Sequence, residues 1–242
     1  PSHVVVMQWK GAGAKGGDPI VFVGKGVTFD TGGISIKPAA GMEDMKGDMA
    51  GAACVVGLMH ELAERKAKVN TVGIIGLVEN MPSGTAQRPS DVVVMRNGTS
   101  VEILDTDAEG RMVLADTLAL AGREKPALMV DYATLTGACV YALSERYSGV
   151  FTNREALNDL LVRAGRDSGE RVWPFPNDPD FDDDIKSKLA DVAQCAATGE
   201  ADQILAARFL QRFVPAETPW VHVDLASALR KLERGTQAAP LP

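Results

Sequence analysis

Apolar residues along this chain are grouped into short runs, bounded in most cases by glycine, proline or charged residues. Short apolar runs rich in valine and isoleucine are typical of strands buried on both faces of a sheet. The pattern predicts strands at residues 4–9, 20–23, 71–78, 127–130 and 220–223.

Longer stretches between these runs have the amphipathic pattern of helices. We predict helices at about residues 48–66, 112–121, 154–169 and 203–213. Alternation of strands and helices favours an α/β fold with a mixed, mostly parallel sheet sandwiched between helices.

Composition narrows the class of protein. A chain of 242 residues that is 45% apolar can bury a sizeable core in one large domain. The net charge of -7 argues against nucleic acid or a membrane surface as a partner. No apolar stretch reaches the ~20 residues that span a bilayer. Cys54, Cys139 and Cys195 form no C-x-x-C pair, as expected of reduced core thiols in a cytoplasmic protein.

Several familiar motifs are absent or lie in the wrong context. Residues 11–16 satisfy G-x-G-x-x-G, but they are followed by Gly17-Asp18-Pro19 and another predicted strand, which favours a hairpin turn over a dinucleotide-binding helix start. His60-Glu61 begins like a zincin motif, yet position 64 is Glu64. No G-x-S-x-G elbow of a serine hydrolase occurs.

Candidate chemistry concentrates between Asp105 and Arg111. This segment places the carboxylates of Asp105, Asp107 and Glu109 beside one guanidinium. Like charges at this density repel one another, so the cluster favours a metal ion, and Arg111 is left to hold an anion or a substrate oxygen. The alternative is a charged loop that caps the following helix, because acidic side chains favour a helix N-terminus.

A second group of charged residues lies upstream, where Lys25, Asp30, Lys37 and Asp48 follow the strand predicted at 20–23. Because that strand pattern breaks at a glycine, we expect Lys25 and Asp30 to lie in a loop at its carboxyl end. Ligands of open α/β sheets bind at this edge. The residues could perform metal-assisted hydrolysis, in which two divalent ions activate a shared water.

Together the two segments resemble the leucyl aminopeptidase family, the cytosol aminopeptidases, over nearly the whole chain. These are dinuclear metallopeptidases, so the resemblance implies two divalent ions, Mn²⁺ or Zn²⁺, with Mg²⁺ or Co²⁺ as further options. By resemblance, Asp30 and Glu109 contact both ions. Asp107 holds one ion, and Asp48 holds the other together with Lys25, which would bind as a neutral amine.

The resemblance gives catalytic roles to the two remaining basic residues. Lys37 would stabilise the oxyanion of the tetrahedral intermediate, and Arg111 would hold a bicarbonate ion that shuttles the proton. Taken singly, Lys37 could be a solvated loop lysine and Arg111 a partner of Glu109. The joint match in identity and spacing disfavours both of these interpretations.

Four further residues resemble family positions that face the substrate. Thr134, Leu135 and Gly137 belong to a segment that lines the substrate channel, where small residues allow close approach. Met45 matches a position in the pocket for the first side chain, although methionine on a helix is more often part of the core. The expected substrates are peptides with apolar amino-terminal residues.

The resemblance also implies an organisation. We expect residues 1–242 to be a single metallopeptidase catalytic domain, cut at both ends, because the family has a separate amino-terminal domain and residues 237–242 contain no capping element. Family members form hexamers, so a homo-oligomer is expected, in the cytoplasm.

Two departures from the family pattern stand out. Asp105 replaces the usual asparagine, and residues 201–207 replace a glycine-rich segment. The leading hypothesis is an aminopeptidase. The alternatives are a metal-binding or assembly subunit that keeps the fold without turnover, and a carboxylate-bridged amidohydrolase or phosphoesterase. The presence of Lys37 and Arg111 favours the peptidase, because neither is needed merely to hold metal.

Overall fold

The computed structural model describes residues 2–13 and 16–226. Residues 237–242, for which a missing capping element was noted, lie outside these ranges. In chain order the elements are β1 (His3–Lys10), β2 (Ile20–Asp30), α1 (Ala50–Glu64), β3 (Asn70–Asn80), β4 (Val92–Val94), β5 (Ser100–Glu102), α2 (Glu109–Ala121), β6 (Leu128–Ala133), α3 (Gly137–Leu143), β7 (Ser148–Thr152), α4 (Asn158–Ser168), β8 (Val172–Pro174), β9 (Val192–Ala193), α5 (Asp202–Gln211) and β10 (Trp220–Asp224).

Seven of the strands form one sheet in the order β1-β3-β2-β6-β10-β7-β8. Its central strands β3, β2, β6 and β10 run parallel. Strand β1 is antiparallel to β3, and β7 is antiparallel to β10. This topology confirms the predicted mixed, mostly parallel sheet, and all five predicted strands are present. The carboxyl ends of the parallel strands meet at one edge.

Helices cover both faces of the sheet, as predicted. Along β3, Val72 and Ile74 belong to the cluster that includes Leu114 and Leu118 of α2, whereas Ile75 packs with Val55 of α1 on the other face. Successive side chains of a strand point to opposite faces of the sheet. A strand that packs against both clusters therefore needs a continuous apolar run. Each buried aliphatic side chain contributes about 1.5–3 kcal/mol.

Strand β2 continues well beyond its predicted end. We expected it to break at a glycine and to place Lys25 in a loop, which was wrong: Lys25 lies within the strand and Asp30 is its last residue. Glycine is required there by packing. A Cβ on Gly24 would lie 2.7 Å from the Cα of Ala52 in α1, so glycine allows the helix to approach the strand closely.

The predicted hairpin at residues 11–16 was also wrong. Strands β1 and β2 do not pair with each other, because β3 lies between them and pairs with both. Ala14 and Lys15 lie outside the described residues.

A small second sheet, β4-β5-β9, was not predicted, since its strands are only two or three residues long. Among the described residues, no helix is both long and apolar enough to cross a membrane. Cys139 and Cys195 are buried and free, whereas Cys54 is exposed. The prediction of core thiols was therefore wrong for Cys54, which lies on α1 away from the buried positions Ala52, Val55 and Met59.

Candidate active site

Charged side chains gather where the parallel strands end. Asp30 closes β2 and is held by Asn80, which closes β3. The Asn80 amide donates to Asp30 Oδ1 at 2.8 Å and to the carbonyl oxygen of Thr106 at 2.9 Å. Asn80 thereby joins the end of β2 to the acidic segment that begins at Asp105.

Lys25 extends from the middle of β2 into a buried acidic environment. Its Nζ lies 2.8 Å from Asp48 Oδ1 and 2.9 Å from Glu109 Oε1, and it donates to the carbonyl oxygen of Thr134 at 3.0 Å. The first turn of α2 fits against it because residue 110 is glycine. A Cβ on Gly110 would lie 2.5 Å from Lys25 Cε.

Lys37 forms a second ion-pair centre. Its ammonium lies 2.9 Å from Asp30 Oδ2 and also contacts Asp107 Oδ1. The side chain keeps about a fifth of its surface exposed (21%), so Lys37 faces the cleft while Lys25 is enclosed. The structure thus brings the two lysines predicted from the sequence to the same group of acids.

The acids themselves lie close enough to share metal ions. One oxygen from each of Asp30, Asp107 and Glu109 can be chosen so that all lie within 4.8 Å of one another. Asp48 is joined to this group through Lys25, whose Nζ contacts both Asp48 and Glu109. Among the described residues, Asp48 Oδ2 and Glu109 Oε2 are buried without a hydrogen-bond partner. Buried carboxylate oxygens that lack a donor are costly unless a cation binds them.

Burial shifts the titration of these carboxyl groups. It raises the pKa of Asp107 to about 6, against the opposing hydrogen bond from Lys37. It raises the pKa of Glu109 to about 7, although Lys25 partly offsets the shift. The pKa of Asp48 is raised for the same reason. Such perturbed groups, gathered in a cleft, mark a candidate functional site.

The two lysines remain cationic in this environment. Burial lowers the pKa of Lys25, but attraction from Asp48 and Glu109 outweighs it, and the net pKa lies above the ordinary value. Burial also lowers the pKa of Lys37, and hydrogen bonds to its two acidic partners reverse that shift. Four carboxylates therefore face two ammonium groups, which leaves an excess of negative charge.

Arg111 lies in the first turn of α2 and is only 2% exposed. Its Nη1 donates to the carbonyl oxygen of Gln194 at 3.1 Å, and its Nη2 donates to Asp202 Oδ1 at 2.7 Å. The Nε–H is buried and lacks an acceptor in the described part of the chain. The ion-pair partner is thus Asp202 and not Glu109.

Asp105 acts locally as an asparagine could. Its Oδ1 accepts the backbone N–H of Asp107 at 2.9 Å, a contact that either side chain can make. The surrounding loop is held by Gln194, whose Oε1 accepts the N–H groups of Leu104 and Asp105 and whose Nε2 donates to the carbonyl oxygen of Ala108. The loop with Asp105 is therefore held by hydrogen bonds from its own backbone and from Gln194.

These charged groups border a cleft of about 720 Å³. The structure places all four predicted substrate-facing residues in its lining, which includes Met45, Thr134, Leu135 and Gly137. Thr134 also donates its hydroxyl to Asp48 Oδ1 at 2.7 Å. The apolar side of the cleft thus adjoins the acidic centre directly.

Four residues that support the site were not predicted: Asn80, Gln194, Asp202 and Asp224. Asn80 and Asp224 end parallel strands at the same edge as Asp30, so the rule that pointed to Asp30 could have found them. Gln194 and Asp202 contact residues more than 80 positions away in the sequence, and no local sequence pattern indicates such a contact.

The fold and the acid-rich centre define an α/β domain with a candidate metal centre at the carboxyl ends of its parallel strands. Comparison with known proteins makes the assignment specific: residues 1–240 match the catalytic domain of the cytosol aminopeptidase family. The chain belongs to this family, which confirms the resemblance drawn from its motifs.

Relatives agree with this assignment. A probable cytosol aminopeptidase of Nitrobacter winogradskyi is 59% identical over 227 residues, and one of Xanthobacter autotrophicus is 58% identical over 226. Each alignment covers 93% of this chain and 45% of the relative, so the chain spans about half the length of the curated relatives it matches. The structure of the bottromycin maturation enzyme BotP superposes with a TM-score of 0.86 at 40% identity, covering 94% of this chain and 48% of that one.

Proposed function

We propose that this domain is a dinuclear metal-dependent aminopeptidase that hydrolyses the amino-terminal peptide bond of peptides. The observation that carries the proposal is the group of buried acids at the strand ends, two of whose oxygens lack any donor among the described residues. Membership of the cytosol aminopeptidase family supports the reaction class.

The donor set fits two divalent cations. Asp30 and Glu109 would contact both, Asp107 would bind one, and Asp48 with Lys25 would bind the other. The excess of carboxylates over ammonium groups favours the binding of divalent cations. Oxygen-rich sites accept Mn²⁺, Zn²⁺, Mg²⁺ or Co²⁺, and availability in the cell selects among them.

Lys25 needs a proton removed before it can bind metal, because an ammonium has no lone pair. Its acidic neighbours favour the charged form. Only a charge stronger than theirs, such as that of a divalent ion at contact distance, would displace the proton. Metal binding at this position should therefore release a proton to solvent.

In the reaction, the chain's own groups bind and orient the peptide. The ions supply Lewis acidity that polarises the scissile carbonyl and lowers the pKa of a water molecule. Lys37, the more exposed lysine, presents its ammonium to the oxyanion of the tetrahedral intermediate. Loss of one such donor typically costs about 2.7–4 kcal/mol of barrier.

Arg111 is the proposed binding site of a bicarbonate ion that shuttles the proton. Its unpartnered Nε–H supports this role, since it leaves one buried donor for an anion. Asp202 already engages Nη2, so the anion would share the guanidinium with a carboxylate of the chain.

The proposed substrates are peptides with apolar amino-terminal residues, because Met45 and Leu135 line the cleft beside the acids. By analogy with the family, we also propose a hexameric homo-oligomer that works in the cytoplasm. The names of the relatives, probable cytosol aminopeptidases, support the location.

The test is release of leucine from a leucyl anilide by the metal-stripped chain, titrated with Mn²⁺ or Zn²⁺ while bound metal is counted. Activity should rise as the second equivalent binds. Asp30→Ala should lose both metal and activity. Asp116→Ala is the matched control, because Asp116 is an exposed carboxylate on α2 that accepts the N–H of Arg96. Two tightly bound ions without turnover, on this substrate and on a small panel of peptides, would contradict the proposal and favour a non-catalytic subunit.

A further inference from the structure

Asp224 is a buried carboxylate at the end of β10 whose side chain accepts hydrogen bonds from three residues that line the cleft. It is 0% exposed. Its Oδ1 accepts the backbone N–H groups of Leu135 at 3.1 Å and Ala226 at 3.0 Å. Its Oδ2 accepts the N–H of Thr136 at 3.1 Å and the hydroxyl of the same residue at 2.6 Å. The N–H of Thr136 also lies within hydrogen-bonding distance of Oδ1, at 3.4 Å, so each oxygen serves at least two donors.

The groups that Asp224 holds form one wall of the cleft. Leu135, Thr136 and Ala226 all line it. Thr136 is also the N-cap of α3, since its hydroxyl oxygen accepts the N–H of Cys139 at 3.3 Å. Helix α3 contributes further lining residues, beginning with Gly137. One carboxylate thus sets the position of a turn, a helix start and the segment after β10.

The same turn reaches the acidic centre from its other end. Thr134 donates its hydroxyl to Asp48 and accepts a hydrogen bond from Lys25 through its carbonyl oxygen. Residues 134–136 are therefore fixed between the acidic centre on one side and Asp224 on the other. Asp224 itself does not line the cleft, so it acts on a peptide only through this backbone.

We propose that Asp224 is a positioning residue that fixes the substrate-facing wall at residues 134–136 and Ala226, and that it thereby sets the affinity for the peptide. The proposal rests on the peptidase function proposed above. A carboxylate is needed for this role. An asparagine in either orientation would turn its NH₂ group toward at least two donors, because each oxygen of Asp224 accepts at least two hydrogen bonds.

The experiment compares Asp224→Asn with Asp131→Asn in the 242-residue chain. Asp131 is also a fully buried aspartate, on the neighbouring strand β6, but its side chain is bonded to His222 Nδ1 at 2.6 Å and to Trp220 Nε1 at 2.7 Å, two groups of β10 that do not line the cleft. Thr136→Ala, which removes one of the four donors, serves as a milder second variant. Each protein is compared for thermal midpoint, bound Mn²⁺, KM and kcat on a leucyl anilide, and hydrogen exchange of the amides at 134–138.

The expected result for Asp224→Asn is faster amide exchange at 134–138, two Mn²⁺ ions still bound, and a KM raised about 10-fold or more with a much smaller change in kcat. Thr136→Ala should shift KM in the same direction by less. Asp131→Asn should lower the thermal midpoint while leaving exchange at 134–138 and KM close to those of the parent.

Two results would overturn the role. One is unchanged amide exchange and unchanged KM in Asp224→Asn. The other is loss of metal, which would mean that Asp224 supports the acidic centre and not the wall. If the parent itself binds two ions and has no turnover, the peptidase proposal fails, and the exchange measurement still decides whether Asp224 orders the wall.

Discussion

Replacing Gln194 by alanine tests whether the acidic loop depends on a side chain from a distant part of the fold. Gln194 is fully buried and follows β9. Its amide bonds the N–H groups of Leu104 and Asp105, at 3.2 and 3.1 Å, and the carbonyl oxygen of Ala108, at 3.0 Å. The truncation removes all three contacts from the loop that contains Asp107.

The expected loss in the free energy of unfolding follows from the number of backbone groups that lose a hydrogen-bond partner. Leaving a buried donor or acceptor unsatisfied costs about 1–3 kcal/mol. The loop is partly exposed, so water would enter the vacated space, and the low end applies to each group. We expect Gln194→Ala to lower the free energy of unfolding by about 3 kcal/mol in total. Because the loop supports Asp107 and Glu109, metal affinity should fall about 10-fold or more.

Urea unfolding of the metal-free chain and titration with Mn²⁺ measure the two effects. Gln211→Ala is the control, because Gln211, at the end of α5, makes one side-chain hydrogen bond within the described part of the chain, to Asn177 at 2.7 Å. It should cost less than about 1.5 kcal/mol and leave metal affinity unchanged. If Gln194→Ala behaved like this control in both measurements, the loop would not depend on the buried amide.

Three further predictions concern the charged groups. Lys37→Ala should keep both metals but lower kcat about 100- to 1,000-fold, as measured by leucyl anilide kinetics with metal counting; loss of metal would contradict its role at the oxyanion. Asp202→Ala should lower the concentration of bicarbonate that activates the enzyme half-maximally, whereas no response in either protein would argue against a bicarbonate shuttle at Arg111. Burial raises the pKa of Glu109 from its ordinary 4.5 to about 7. The protonated group therefore stabilises the metal-free fold fully below about pH 4.5, and this stabilisation is lost as the pH rises through about 7. Glu109→Gln should remove this pH dependence from urea unfolding curves, and an unchanged curve would refute the assignment.

Much of the sheet could be predicted from the sequence because parallel strands buried on two faces need continuous apolar runs. Residues 71–78 contain such a run, and β3 occupies Asn70–Asn80. The prediction failed at Gly24, where a glycine permits contact with α1 and does not end the strand. A glycine can end a strand or allow a helix to pack closely against it, and only the position of the neighbouring helix distinguishes the two cases.

The acids and lysines of the site could be predicted because they fall in two nearly contiguous segments with a recognisable spacing. Their supports could not be predicted in this way. Gln194 and Asp202 act through pairs formed across the fold, with Asp105 and Arg111 respectively. A single polar residue in a loop gives no local signal of its distant partner, so such contacts emerge only from the packing of α5 and β9 against the acidic segment.

Asp202, at the start of α5, affects the site through charge. Asp202 Oδ1 lies 2.7 Å from Arg111 Nη2, and the arginine side chain is only 3% exposed. Solvent therefore screens this pair weakly, and the carboxylate neutralises part of the charge that would attract an anion. A bicarbonate ion at Nε would also approach the Asp202 carboxylate, and like charges at short range repel. Asp202→Ala should therefore strengthen the binding of bicarbonate at Arg111.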